Sequence, residues 1–163
     1  MITSELGVKS LFRSITASTS SIFEDEVAVV SGDIYFEPIA SPVFVDCCIS
    51  VVCESGTADI VEELGPFHLT PMTSMSIMPG HIVTSWSLSD FRGTIVLMSS
   101  QFVEDVLGYY VFPLREILNS TRVERVPSAY VDVQVGMSSL FNCICEFGGS
   151  RCRESIVILF SKS

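Results

Sequence analysis

The sequence predicts a mainly β domain, built as an antiparallel barrel or sandwich and followed by a helical C-terminal segment. From Ile22 to Ser99, short runs of strand-forming residues follow one another, and turns rich in Gly and Pro separate them. No helical pattern lies between these runs, although parallel βαβ units would need one. The pattern changes at Ser100, after which apolar residues recur at helical spacing.

The predicted strands are short and are separated by turns. The strongest is Val43–Cys53, where alternate residues form a wholly apolar face while Asp46 and Ser50 interrupt the other face. Ser31-Gly32 and Glu54-Ser55-Gly56 are predicted to be turns. Further strands are expected at Val27–Val30, Asp33–Phe36, Thr57–Glu62, Phe67–Leu69 and Thr94–Ser99.

A hairpin is predicted in the middle of the chain. The runs Met72–Met78 and His81–Leu88 are joined only by Pro79-Gly80. Proline presets φ and glycine tolerates a positive φ, so the chain can reverse at this dipeptide. We expect the two runs to pair with each other, and the second to end in another turn at Ser89-Asp90.

We expect three segments along the chain. Residues 1–20 form a flexible N-terminal arm with a short helix around Leu6–Ile15, residues 21–99 form the β domain, and residues 100–163 form the helical segment. Ser100 is the expected N-cap of its first helix. The predicted helices are Gln101–Leu107, Pro113–Leu118, Val133–Phe147 and Ile156–Phe160, with an extended stretch at Val126–Val131. The last helix meets the chain end without a Gly or Pro stop signal, which is typical of a chain truncated before a further domain.

Composition excludes several classes of function. The net charge of −10 disfavours binding to a phosphate backbone, because like charges repel. Hydrophobic residues make up 48% of the chain, yet no apolar run is long enough for a membrane helix. The apolar excess therefore indicates an interface or a missing neighbour domain. The chain start does not resemble a signal peptide, and six cysteines without one indicate a reducing, cytoplasmic compartment.

No catalytic or metal site is evident in the sequence. None of the cysteines forms a C-x-x-C pair, and His68 and His81 are the only imidazoles, so we expect no metal and no cofactor. Buried free thiols are the better explanation of the cysteines. No G-x-S-x-G elbow or phosphate-binding glycine loop occurs. The acidic pair Glu62-Glu63 is most simply a solvated face or a turn.

Trp86 is the first candidate for ligand binding. It shares a strand face with Ile82 and Thr84, whereas His81 has the opposite parity and would need a bulge to face the same side. A core tryptophan is the commoner explanation of such a residue. Our hypothesis is that the interior binds a neutral or cationic small molecule stacked on Trp86. Weaker candidates for the same pocket are Tyr35, Phe44, His68 and Arg92.

A homodimer is predicted from the helix Val133–Phe147. Its apolar stripe is wide enough to contact both the β domain and a partner. The residues expected at this interface are Val133, Met137, Leu140, Phe141 and Ile144.

Two stretches together resemble a known family. PGHIVTSWSLSDFRG, and the SSQFVEDVLG that follows closely, are similar to the N-terminal regulatory domain of AraC-type transcriptional regulators, above all those of Bacteroides-like bacteria. The resemblance implies a cupin-like antiparallel β-barrel (a double-stranded β-helix, or jelly roll) followed by dimerisation helices. It also implies a DNA-binding pair of helix-turn-helix motifs, absent from this chain, through which alone DNA would be bound.

Two other functions remain open. Cupin enzymes share the barrel but bind metal through an H-x-H motif and a following Glu, whereas the strand Thr57–Glu62 contains no histidine. A free-standing cupin-like enzyme with a metal-free site is therefore the alternative to a sensor. A structural interaction module without a small-molecule ligand is the third possibility, and an interior filled with side chains would favour it.

Overall fold

The structure, a computed structural model, describes residues 4–39, 41–107, 123–129, 132, 138–139, 141–142, 145, 156–157 and 159–160. Strands dominate this part of the chain, as the sequence predicts. In chain order the elements are β1 Ser4–Leu6, α1 Val8–Ser14, β2 Ile15–Phe23, β3 Val27–Phe36, β4 Val43–Val45, β5 Cys48–Glu62, β6 Gly65–Leu69, β7 Thr73–Ile77, β8 His81–Met98, α2 Ser100–Leu107 and β9 Glu124–Arg125.

Strands β5 and β8 form the central antiparallel ladder of a single sheet. They are 15 and 18 residues long, so each has room for different neighbours along its length. Where Cys48–Cys53 pairs with Gly93–Met98, the ladder is flanked by β7 and β3. Where Thr57–Glu62 pairs with Val83–Ser89, it is flanked by β6 and β4. The sheet therefore has two halves that share the two long strands.

The two halves face each other across the main hydrophobic core. Val51 and Leu97 of the first half lie in one buried cluster with Ile60, Val83 and Trp86 of the second half. Strand β7 alternates buried and half-buried residues, as expected for a strand with one face against a core. The concave face of the folded sheet is therefore almost wholly apolar.

The predicted mainly β fold is confirmed, but the predicted cupin-like barrel is not a closed sheet within the described part of the chain. Its longest path runs from β1 through β4, β8, β5 and β7 to β9, and the two ends do not pair. These end strands are only three and two residues long. Helix α1 follows β1 directly and buries Val8 and Leu11 in the core, so a helix covers the concave face there.

Several strands predicted as separate are continuous. Val27–Val30 and Asp33–Phe36 belong to β3, Thr57–Glu62 belongs to β5, and Thr94–Ser99 lies almost entirely in β8. The predicted turns between them are bends within strands, with Gly32 and Gly56 at φ of 89° and 77°. A glycine inside a strand marks a bulge or a close approach at least as often as a chain reversal, which explains the error.

The predicted central hairpin is also wrong. Strands β7 and β8 are joined by Pro79-Gly80 but do not pair with each other, since β7 pairs with β5 and β9. The connecting turn is instead held by β4, because the Gly80 N–H donates to Val45 O at 2.9 Å. The predicted turn at Ser89-Asp90 lies inside β8, where Asp90 has a φ of 47°.

Two glycines allow β5 and β8 to approach closely where both strands bend. A Cβ added to Gly93 would lie 2.0 Å from Val52 O, and one added to Gly56 would lie 2.1 Å from Asp90 O. Both clashes are with backbone atoms, which cannot rotate away as a side chain can. The register of the ladder shifts in this region, between Cys53 and Thr57, as expected at β-bulges.

The N-terminal stretch joins the sheet. Strand β1 pairs in parallel with β4, the predicted short helix is present as α1, and β2 pairs with β3 from Ile15 onward. The helix has no side-chain N-cap and is held mainly by its buried residues. The proposed domain boundary at residue 20 remains a prediction.

A second apolar cluster lies on the opposite face of β3 and β8. It contains Val29 and Val96 of these strands and three aromatic rings from the C-terminal part of the chain. Phe160 contacts Phe102 and Phe141 edge-on, with ring centroids 5.7 Å apart in each pair. The C-terminal segment therefore covers this outer face.

The described C-terminal positions are helical where helices were predicted. Helix α2 begins after Ser99, whose Oγ accepts the Phe102 N–H at 3.1 Å, so Ser99 rather than Ser100 is the cap. Asp132, Ser138, Ser139, Phe141, Asn142 and Cys145 are helical, as are Ile156, Val157, Leu159 and Phe160. The predicted helix Pro113–Leu118 lies outside the described residues. The predicted extended stretch Val126–Val131 is wrong at Ser128 and Ala129, which are helical, and the short strand β9 lies just before it. No helix in the described part of the chain is long and apolar enough to span a bilayer.

The close approach at Gly93 makes this residue sensitive to substitution. We expect Gly93→Ala to lower the free energy of unfolding by about 3 kcal/mol or to prevent folding, because an added methyl meets the Val52 carbonyl. Urea denaturation followed by circular dichroism measures the loss. Gly7→Ala is the control, since a Cβ there has no atom within 4 Å and φ is −99°. Equal stability of the two variants would contradict the proposed close approach.

Candidate functional site

A small cavity lies in the apolar core between the two halves of the sheet. Its volume is about 30 Å³, far below the roughly 300–1,000 Å³ of typical small-molecule sites. All of its lining side chains are apolar or aromatic: Leu11, Ile15, Phe36, Ile49, Val51, Ile60, Ile77, Trp86, Ile95 and Leu97. Leu11 belongs to α1 and Ile15 follows it directly, so the N-terminal stretch closes the cavity on one side.

Trp86 lines this cavity. Its side chain is buried, and its indole N–H donates to Glu37 O at 3.0 Å. Phe36 contacts the indole edge-on, with ring centroids 5.0 Å apart. Because the indole N–H already has a partner, Trp86 offers a ligand only its apolar ring. The hydrogen bond and the Phe36 contact hold that ring in one orientation.

A bulge in β8 places both His81 and Trp86 on the concave side. Ser85 pairs with Val61 but Val83 pairs with Glu62, so Thr84 is the extra residue. The Thr84 hydroxyl donates to Val61 O at 3.1 Å. The bulge puts the buried Val83 and Trp86 on one face although they are three residues apart. His81, two residues before Val83, shares this face.

Four of the predicted ligand-binding residues do not line the cavity. Tyr35 is 56% exposed, and Phe44 alternates with the buried Val43 and Val45 and so faces the other side of the sheet. His68 lies at the surface, with its Nδ1 2.6 Å from an Asp59 carboxylate oxygen. Arg92 is also exposed and forms a 3.4 Å ion pair with Asp33. The structure thus brings only Trp86 of this set to the cavity.

The predicted dimer interface falls mostly outside the described residues. Val133, Met137, Leu140 and Ile144 are not among them. Phe141 is fully buried within the chain, in the cluster on the outer face of β3 and β8. Its neighbour Asn142 accepts a hydrogen bond from the Ser21 hydroxyl. Homodimer formation remains a prediction.

A buried carboxylate, missed in the sequence, lies at the end of β5. Glu62 has a fully buried side chain, whereas Glu63 at the turn is partly exposed. Neither Glu62 carboxylate oxygen has a hydrogen-bond partner among the described residues. The interpretation of Glu62 as solvated is therefore wrong. The alternation of residues in this strand could have indicated the burial of Glu62, because Ala58, Ile60 and Glu62 occupy successive inward positions.

The imidazole of His81 approaches the Glu62 carboxylate but does not form a hydrogen bond with it. Its Nδ1 lies 4.0 Å from Glu62 Oε2, beyond hydrogen-bonding distance. The same nitrogen lies 2.8 Å from Glu63 Oε1, without the alignment of a hydrogen bond. Burying an unpaired carboxylate costs several kcal/mol. The burial of Glu62 without a hydrogen-bond partner among the described residues is therefore energetically unfavourable.

Cys47, Cys48 and Cys53 are free, buried thiols. Cys48 and Cys53 belong to β5, and Cys47 directly precedes this strand. Burial raises the pKa of Cys47 and of Cys48 to about 12 and that of Cys53 to about 11. Thiols with such pKa values are poor nucleophiles and poor metal ligands. Within the described part of the chain, no group of three or more His, Cys, Asp or Glu side chains is arranged to hold a metal ion.

These thiols should be protected from alkylation in the folded protein. At pH 8 we expect Cys47 and Cys48 to react with iodoacetamide about a thousandfold more slowly than free cysteine, because a pKa raised from 9.0 to about 12 lowers the thiolate fraction by that factor. Peptide mass spectrometry after a timed pulse measures each site. Protection should vanish in concentrated urea, and fast native labelling of Cys47 or Cys48 would contradict their burial.

Comparison with solved structures shows where this fold occurs. The AraC-like transcriptional activator CuxR superimposes with a TM-score of 0.55 at 10% identity, covering 84% of this chain and 49% of that one. ToxT K231A of Vibrio cholerae strain SCE256 gives 0.52 at 17% identity, covering 85% and 54%. ToxT of the same strain with an unsaturated fatty acid bound gives 0.50 at 15% identity, covering 84% and 51%. No family model matches the sequence, and no curated protein is significantly similar to it.

These similarities concern the fold, since all the identities are low. The chain spans about half of the length of the regulators that it matches. These three structures do not support the Bacteroides-like part of the sequence resemblance. The resemblance to AraC-type regulators is confirmed at the level of the fold: the chain shares its architecture with the AraC-like transcriptional activator CuxR, and also with ToxT.

Proposed function

We propose that this chain is the ligand-sensing and dimerisation domain of a cytoplasmic AraC-type transcriptional regulator. Its effector would be a small molecule with an apolar body that occupies the cavity beside Trp86. The observation that carries this proposal is the cavity itself, which is lined only by apolar side chains and lies within a fold shared with AraC-like regulators. ToxT with an unsaturated fatty acid bound is a precedent for an apolar ligand on this fold.

Ligand entry would require the N-terminal helix to move. The cavity of about 30 Å³ holds little more than two water molecules, so a larger ligand must displace side chains. Helix α1 is the element best suited to yield, because it has seven residues and no side-chain N-cap. It covers the cavity through Leu11. Occupancy of the cavity would thereby be coupled to the position of the N-terminal stretch.

A non-enzymatic role fits the chemistry of the cavity. Its lining offers no carboxylate, imidazole, hydroxyl or thiol to transfer a proton or attack a substrate. A free-standing cupin-like enzyme would need a different site. The small volume of the cavity favours one other candidate, an interaction module without any small-molecule ligand.

A titration with octan-1-ol tests for an apolar ligand. Trp86 is the only tryptophan, so intrinsic fluorescence reports occupancy of the cavity directly. We expect octan-1-ol to shift the emission of the 163-residue chain. Leu11→Ala should bind it about tenfold more tightly, because the truncation enlarges the cavity beneath α1, at a cost of about 2–5 kcal/mol in stability.

The matched control is Leu64→Ala, at an exposed leucine in the turn between β5 and β6. It should leave both affinity and stability unchanged. If neither the natural chain nor Leu11→Ala responds to octan-1-ol, or to an eight-carbon analogue with another head group, up to the solubility limit, the sensor proposal fails. The interaction module would then be the better explanation.

DNA binding would reside outside this chain. The sequence has 19 acidic and 9 basic residues, and non-specific affinity for DNA comes from neutralised phosphates. We expect no salt-sensitive shift of a labelled duplex by micromolar protein at low ionic strength. A shift that disappears on adding salt would place DNA contacts within these 163 residues and contradict the proposed division of functions.

A further inference from the structure

Glu62 is a buried polar group without a hydrogen-bond partner in the described part of the chain. Both carboxylate oxygens lack hydrogen bonds to the described residues, and His81 Nδ1 stops 4.0 Å away. Its side chain is fully buried, so bulk water does not solvate it. A carboxylate in such a position is costly unless a donor or a cation completes it.

The carboxylate lies next to the cavity along one strand face. Ile60 lines the cavity and pairs with Trp86, and Glu62 is the next inward residue on β5. Successive inward residues of a strand are separated by about 7 Å. A ligand whose apolar body lies against Ile60 and Trp86 therefore needs only a short extension to reach Glu62.

The charge of this region selects the head of such a ligand. Glu62 and Glu63 each have a carboxylate oxygen within 4.0 Å of His81 Nδ1, and no Lys or Arg of the described residues lies within that distance of either carboxylate. A cationic donor would gain a charge-assisted hydrogen bond. A second carboxylate would be repelled. The whole chain, at −10, reinforces the same preference.

We propose that Glu62 is the polar anchor of the effector site and that the effector is an amphiphile with an apolar body and a cationic amine head. The amine would donate to the Glu62 carboxylate while the apolar body occupies the cavity against Trp86. This inference rests on the proposed sensor function and specifies the chemistry of its ligand. It makes Glu62 a specificity-determining residue that the sequence alone did not reveal.

Three probes with the same chain length separate the contributions of body and head. Octylamine, octan-1-ol and octanoate are titrated at neutral pH and 0.15 M salt, with Trp86 fluorescence as the readout. We expect octylamine to bind at least tenfold more tightly than octan-1-ol, and octanoate to bind more weakly than both. This order needs no variant, so a folding defect cannot obscure it.

Glu62→Gln then tests the anchor. The variant keeps the shape of the side chain and removes its charge, so octylamine should lose its advantage over octan-1-ol to within about threefold. Asp59→Asn is the matched control, because Asp59 is an exposed acid on the opposite face of the same strand. It removes the same charge from the chain and should leave the preference for octylamine intact.

The outcomes distinguish the two proposals. If octan-1-ol binds but octylamine binds no better, or if Glu62→Gln keeps the full preference, the amine assignment is overturned and the sensor proposal stands. If Asp59→Asn reduces the preference as much as Glu62→Gln, the effect is one of net charge and the anchor is likewise overturned. If none of the three probes changes Trp86 emission, both proposals fail.

Discussion

The close contact of β5 and β8 is the constraint on which the rest of the structure depends. Each strand pairs with two sets of neighbours, and the change from one set to the other occurs where Gly56 and Gly93 let backbone meet backbone. The bulges there turn one half of the sheet toward the other. Without that bend the apolar faces of the two halves would not enclose a common core.

The concave face is packed with apolar side chains, and Glu62 is a buried charged residue among them. Aliphatic and aromatic side chains fill it so fully that only a small cavity remains, and α1 supplies the last of its lining through Leu11. Glu62 interrupts this face at its end, buried and without a hydrogen bond to the described residues. Such a group weakens a fold, so its presence is most readily understood through a ligand rather than through stability. In the proposed sensor, cavity and carboxylate together would form a site for a molecule with two chemically different ends.

The opposite face of the sheet shows how the C-terminal part of the chain is attached. Phe102, Phe141 and Phe160 pack together over β3 and β8, so the segment that follows the sheet is anchored by aromatic contacts. Strands β3 and β8 therefore lie between the cavity on one side and these aromatic residues on the other. A change in the spacing of these strands would displace the side chains packed on both faces, because close-packed interiors transmit small displacements.

The sequence by itself determined the mainly β class of the fold, the absence of recognisable catalytic motifs and the burial of Trp86. It placed Trp86 wrongly on one face with Thr84, because the bulge that makes Thr84 an extra residue leaves no mark in the alternation. Alternating apolar residues predict strands because one strand face must be buried, and the helical spacing after Ser100 predicts helices for the same reason. From the sequence, His81 and Trp86 can share a strand face only if the strand contains a bulge, and the register shift at Thr84 is such a bulge.

Only the tertiary structure decided which strands pair. Turn signals such as Pro79-Gly80 and Gly56 report a local backbone conformation, which a hairpin, a bulge and a crossing connection can share. The burial of Glu62 was likewise a tertiary outcome, since it depends on the neighbouring strand β8 and on the fold of the sheet around it.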